Sequence, residues 1–138
     1  MRETIEDVVI SFAWAYDRGD IEAAAAVFAE DATLEVSVPG VAPAHGREAI
    51  AAFVGDARAA RAARGEQPRH LVNNVRIVAD DGDTVHAVSY MTLVLTRADG
   101  TSVVDCAGTY TDSYTQVDGR WLIATRLITF DRDLVAAP

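Results

Sequence analysis

From residue 70 onward the apolar pattern of the chain changes from helical to extended, and it stays extended to residue 131. Four segments, 70–80, 84–97, 102–117 and 120–131, are joined by Asp81-Gly82, Asp99-Gly100 and Asp118-Gly119. An Asp-Gly pair between two β-patterned runs is a tight-turn signal, and tight turns force antiparallel neighbours. The segments therefore predict a four-strand meander. At about 3.3 Å per residue, the two middle strands each exceed roughly 40 Å, a length that argues against a flat sheet. Strong bending is expected, with Gly108 as a natural place for a bulge.

The preceding residues read as helices. Thr4 and Asp7 have the spacing of an N-cap and an acidic first turn, and Ile5, Val8, Val9, Phe12 and Tyr16 recur on one helical face. Gly19 stops this helix, and Asp20 caps a short second one over residues 20–28. Asp31-Ala32-Thr33 breaks it, and residues 34–38 read as a strand ending at Pro39-Gly40. A loop containing His45 follows, then a third helix over 47–64 with Ile50, Phe53 and Val54 inward and Gly65 at its end. Helices first and a meander after them make an α+β architecture in one domain, residues 1–138.

Charge and cysteine usage exclude several roles. Twenty-one acidic against twelve basic residues leave a net charge of −9, which repels phosphate backbones and anionic lipid, so neither nucleic acid nor membrane is an expected partner. Arg58, Arg61, Arg64 and Arg69 read as a solvated helix face and its exit. Cys106 is the one cysteine, so no internal disulfide forms. No apolar run approaches 18 residues and the first residues open an acidic amphipathic helix, so the expected location is cytoplasmic. No metal-ligand spacing, Gly-rich phosphate loop or nucleophile elbow is present, and no cofactor is expected.

The stretches Tyr16-Asp17-Arg18-Gly19-Asp20, Val27-Phe28-Ala29-Glu30-Asp31-Ala32-Thr33, Gly46-Arg47-Glu48-Ala49-Ile50, Tyr110-Thr111-Asp112-Ser113-Tyr114 and Asp118-Gly119-Arg120-Trp121 stand in this order along the chain. Together they resemble the SnoaL-like branch of the nuclear-transport-factor-2-like superfamily. The resemblance covers about residues 4–131. It implies a cone-shaped fold, three N-terminal helices packed on a strongly curved antiparallel sheet around a pocket, and a homodimer through the sheet. It does not fix a function, because the superfamily holds dehydratases, isomerases, cyclases, epoxide hydrolases and non-catalytic subunits on one scaffold.

Asp17 and His70 are the candidate catalytic pair. In scytalone dehydratase and bile-acid dehydratase relatives an aspartate and a histidine at these places form a pocket dyad, and Tyr16-Asp17 is similar to the scytalone dehydratase pattern. A carboxylate bonded to one imidazole nitrogen fixes the tautomer, and the other nitrogen can then move a proton next to a carbonyl. The chain departs from those relatives elsewhere. Residues 90–94 contain no histidine, Leu93 stands near the expected aspartate, and Phe12 replaces the helix tyrosine. Ketosteroid isomerase fits less well, with Val36 at its base position, although Asp112 lies near its oxyanion-hole acid. Asp112 reads either as a neutral buried acid or as the cross-strand partner of Arg126. Tyr16, Tyr90 and Tyr110 are candidates for polarising a substrate oxygen, and Phe12 and Arg126 complete the expected substrate-binding set.

The expected activity is a cofactor-free lyase or isomerase, dehydratase-like, acting on a small apolar carbonyl or cyclic substrate of aromatic, polyketide-like or steroid-like character. Polyketide ring closure or epoxide opening on the same scaffold is the alternative enzyme reading. A non-catalytic binding or assembly domain is the alternative of a different class.

Overall fold

Thr4 starts the first helix by a reciprocal cap. Its hydroxyl accepts from the Asp7 N–H at 3.2 Å, and the Asp7 carboxylate accepts from the Thr4 N–H at 2.8 Å. This is seen in a computed structural model of the chain that describes residues 3–132; the ends of the expected domain, residues 1–2 and 133–138, lie outside the described residues. The elements are α1 (Ile5–Asp17), α2 (Ile21–Ala26), β1 (Phe28–Val36), β2 (Ala44–His45), α3 (Arg47–Ala63), β3 (Gln67–Asp80), β4 (Thr84–Thr96), β5 (Ser102–Val117) and β6 (Arg120–Phe130). The helices and the four-strand meander agree with the sequence pattern. Two details differ. The second helix is shorter than expected and β1 begins at Phe28, so Asp31–Thr33 lies within a strand. The His45 segment forms the two-residue strand β2, with His45 Nδ1 3.2 Å from Thr33 Oγ1.

The expected strongly curved, wholly antiparallel sheet is not what forms. Six strands run in the open order β2-β1-β6-β5-β4-β3, and β1 lies parallel to β6 while the other pairs are antiparallel. Because β1 docks on β6, β3 keeps a free edge among the described residues, and the sheet is neither strongly curved nor closed. The length of the strands is accommodated by local irregularities instead. Register shifts fall between Asn73 and Arg76, Ile77 and Ala79, Leu93 and Val94, and Ser113 and Tyr114. Gly108 is not at one of them. It pairs in regular register with Met91 and Phe130, and a Cβ there would meet the Thr129 carbonyl oxygen at 2.1 Å. Its glycine is required by close backbone approach. The β5–β6 turn follows the sequence signal, with both Asp118 (φ 52°) and Gly119 (φ 79°) left-handed as a two-residue hairpin requires.

The core lies between α1 and the inner sheet face. Val8, Val9, Phe12 and Tyr16 of α1, Ile50 and Val54 of α3, and Phe28, Leu34, Val85, Ala87, Tyr114 and Ile123 of the sheet are buried together. Phe53, expected inward, is exposed. Among the described residues no helix is long and apolar enough to cross a membrane.

Candidate active site

Asp17 is the last residue of α1, and the end of that helix is held by other parts of the chain. The helix has no basic residue in its last turn to satisfy its terminal carbonyls. Arg58 of α3 does so instead, donating to the Tyr16 and Asp17 carbonyls at 3.0 and 3.1 Å, and the Gln67 side chain of β3 donates to the Asp17 carbonyl at 2.8 Å. The Asp17 side chain is thereby aimed at β3. Its Oδ1 lies 2.7 Å from His70 Nδ1, and its Oδ2 accepts from the backbone N–H of His70 at 2.8 Å. Both side chains are more than nine-tenths buried.

Two acceptor oxygens face two nitrogens of one residue, and this selects the tautomer of the neutral ring. The carboxylate accepts, so Nδ1 carries hydrogen and neutral His70 has its lone pair at Nε2. Nε2 has no hydrogen-bond partner among the described residues and is not one of their sealed, unpartnered atoms. The ring is fixed from behind by aromatic edges, Tyr16 with centroids 4.9 Å apart and Phe12 at 6.4 Å. Arg61 donates to the Tyr16 hydroxyl at 3.3 Å and pairs with Asp105 at 3.8 Å.

A groove of about 530 Å³ opens on the dyad between α1 and β3. Ile10, Ala13 and Trp14 form one wall, and residues 69–73 form the other. Trp14 is 66 % exposed and Leu71 is 51 % exposed. Of the residues expected at the site, Asp17 and His70 line this groove; the remaining six do not. Phe12 and Tyr16 are buried behind the His70 ring. Tyr90 points the other way: buried neighbours Ser89 and Met91 mark the inner face, and Tyr90 is exposed on the outer one. Tyr110, Asp112 and Arg126 form a separate buried cluster.

In that cluster the ion-pair reading of Asp112 holds and the neutral-acid reading does not. Arg126 donates from Nε and Nη2 to the two Asp112 oxygens at 2.9 and 3.0 Å, and the Tyr114 hydroxyl donates at 2.6 Å. Asp112 is an acceptor three times over. The Arg126 guanidinium also sits 3.9 Å over the Tyr110 ring and 5.3 Å from the Phe12 ring centre. Burial is the largest single influence on Arg126 and works against its charge. The Asp112 carboxylate and its hydrogen bonds, with Tyr110 and Tyr114, together outweigh it and hold the pKa above its ordinary value. Burial pushes the Tyr110 phenol up to about 12, against the pull of Arg126 and with help from Asp112, Cys106 and Asp17. Burial and then Asp112 raise Tyr114 as well.

Sequence reasoning missed Trp14, Ile10, Arg69, Leu71 and Asn73 as lining residues. Part of the signal was present, since Ile10, Trp14 and Asp17 follow one another at spacings of four and three on a single helical stripe. Among the described residues no three His, Cys, Asp or Glu side chains gather as a metal-binding group.

Comparison with known proteins agrees with this arrangement. Residues 1–127 match the family described as a SnoaL-like domain. The chain belongs to the SnoaL-like family. Two structures from Catenulispora acidiphila are each 30 % identical to this SnoaL-like chain. One covers 96 % of it and 93 % of its own length with a TM-score of 0.84. The other, solved in complex with S-DNPA, covers 96 % and 95 % with a TM-score of 0.81. A Novosphingobium aromaticivorans protein provisionally assigned as a scytalone dehydratase shares the fold, with 20 % identity, coverage of 91 % and 80 %, and a TM-score of 0.77. No curated protein matches this SnoaL-like sequence closely enough to count as a relative.

Proposed function

We propose that this SnoaL-like protein is a dehydratase-like lyase or isomerase that moves a proton next to a carbonyl, with His70 as general base and then general acid and Asp17 as the group that orients it. The observation that carries the reading is the double hold of Asp17 on His70. One carboxylate oxygen fixes the ring tautomer, the other fixes the backbone that bears the ring, and Nε2 is left without a partner among the described residues. A base oriented in this way removes an acidic α-proton and returns it to a leaving hydroxyl or to another carbon. The apolar groove beside it suits a small apolar carbonyl or cyclic compound. A 30 % identical relative solved with S-DNPA is consistent with ligand binding on this scaffold. Epoxide opening is less well supported, because Arg126 is sealed against Asp112 and does not line the groove.

The test needs no knowledge of the natural substrate. Deuterium uptake at the α-carbon of 2-tetralone in D₂O, followed by NMR, reads base catalysis directly. The wild-type protein is expected to accelerate uptake, and His70→Ala to lower the catalysed rate by about 10²- to 10⁴-fold. Equal rates for the two proteins would remove His70 from the mechanism.

The outer sheet face carries exposed Tyr90 and Val104, and the reading extends to a homodimer formed through that face. The double variant Tyr90→Asp, Val104→Asp is expected to halve the mass seen by light scattering. A monomeric wild type overturns this part alone.

A further inference from the structure

The groove beside the dyad holds a cation that no side chain among the described residues engages. Asp17 is the one acid that lines it, and both its oxygens are taken up by His70. Arg69 also lines the groove, is exposed, and has no hydrogen-bond or ion-pair partner among the described residues. Several other arginines are engaged: Arg47 on the Phe28 carbonyl, Arg58 on the end of α1, Arg61 on Tyr16 and Asp105, Arg64 on Glu66, and Arg126 on Asp112. The Asp17 carboxylate is directed at His70, so Arg69 is the one unengaged charge of the groove lining on a chain of net charge −9.

The remaining lining is apolar and includes a broad flat surface. Ile10, Ala13, Leu71 and Val72 line the groove together with the Trp14 indole, and Asn73 adds an amide. An exposed indole facing an edge strand is a stacking platform for a ring. The Arg69 guanidinium in the same lining presents a planar fork of donors that matches a carboxylate, and it does so better than an ammonium would.

We propose that the groove selects a flat, ring-bearing apolar acid, with its ring against Trp14, its carboxylate on Arg69 and its reactive carbon toward His70 Nε2. Arg69 is then a specificity determinant of the site and not part of its proton chemistry. This rests on the reading of the groove as the ligand site and adds the charge of the ligand to it.

The test compares 2-naphthoate with its uncharged near-isostere 2-acetonaphthone by titration calorimetry, using wild type, Arg69→Gln and Trp14→Ala. The wild type is expected to bind the acid about 3- to 10-fold more tightly than the ketone at low salt, with the margin shrinking as salt rises. Arg69→Gln is expected to erase the margin and leave the affinity for the ketone unchanged. Trp14→Ala is expected to weaken both probes alike. Equal binding of the two probes by wild type, or an intact margin in Arg69→Gln, overturns the selection of an acid and leaves the ligand groove standing. Failure of wild type to bind either probe overturns both.

Discussion

Replacing Asp17 by Asn changes one oxygen to an NH₂ and tests the site where it is most constrained. A carboxylate offers two acceptors, whereas an amide offers one acceptor and one donor. The backbone N–H of His70 can only donate, so the amide oxygen stays with it at the 2.8 Å position. The NH₂ is then turned to ring Nδ1, now 2.7 Å from Oδ1, and only a lone pair can meet it there. The ring proton moves to Nε2, and the base facing the groove is lost while the fold remains. Two charge-assisted bonds become neutral ones, each falling from about 1.5–3 to about 0.5–1.5 kcal/mol, so the expected loss of stability is roughly 1–3 kcal/mol. The expected loss of α-proton exchange is much larger in relative terms, about 10²- to 10⁴-fold. Urea titration reads the first, ring ¹⁵N shifts read the tautomer, and deuterium uptake reads the rate. A folded Asp17→Asn protein that carries its proton on Nε2 and still exchanges at the wild-type rate would refute the reasoning.

Two predictions concern the buried cluster. Asp112→Ala leaves the fully buried Arg126 side chain without its counter-charge and is expected to cost about 3–5 kcal/mol in urea titration, most of it recovered by the double variant Asp112→Leu, Arg126→Met; a loss below about 1 kcal/mol for Asp112→Ala would show the pair to be solvated. Tyr110 has a folded pKa of about 12 against an ordinary 10.0, so the native state keeps a proton that the unfolded chain gives up. Its contribution is whole below pH 10 and is lost as pH rises toward 12, by up to about 3 kcal/mol. Tyr110→Phe is expected to flatten that limb of the stability curve, and an unchanged limb would assign it to other groups.

The parts of the fold that were legible in the sequence depend on local signals. Thr4 with Asp7 gives the start of α1, and Asp118-Gly119 gives the β5–β6 turn, because each depends on residues a few positions apart. Asp112 and Arg126 were readable as candidate partners because their strands are neighbours across a short turn and their charges are opposite, but the shift between Ser113 and Tyr114 that sets them face to face has no signal in the turn. The parallel pairing of β1 with β6 has no local signal, and without it the free edge of β3 is invisible. Tyr90 shows the other limit. Alternation along β4 is unbroken and sets Tyr90 opposite Ser89 and Met91, but it does not say which of the two faces meets the helices. The Ile10–Trp14–Asp17 stripe was readable as a stripe. Whether it was core or groove depended on what lies opposite, which is the edge strand.

The bond between the Asp17 carboxylate and the amide of His70 gives the site a built-in clock. An edge-strand amide with no strand partner is normally open to solvent exchange, but this one is closed by a side chain 53 residues earlier in the chain. Its proton can leave only when the Asp17 carboxylate lets go of it. The exchange rate of that single amide therefore counts how often the dyad comes apart in the resting protein, with no substrate and no turnover needed to read it.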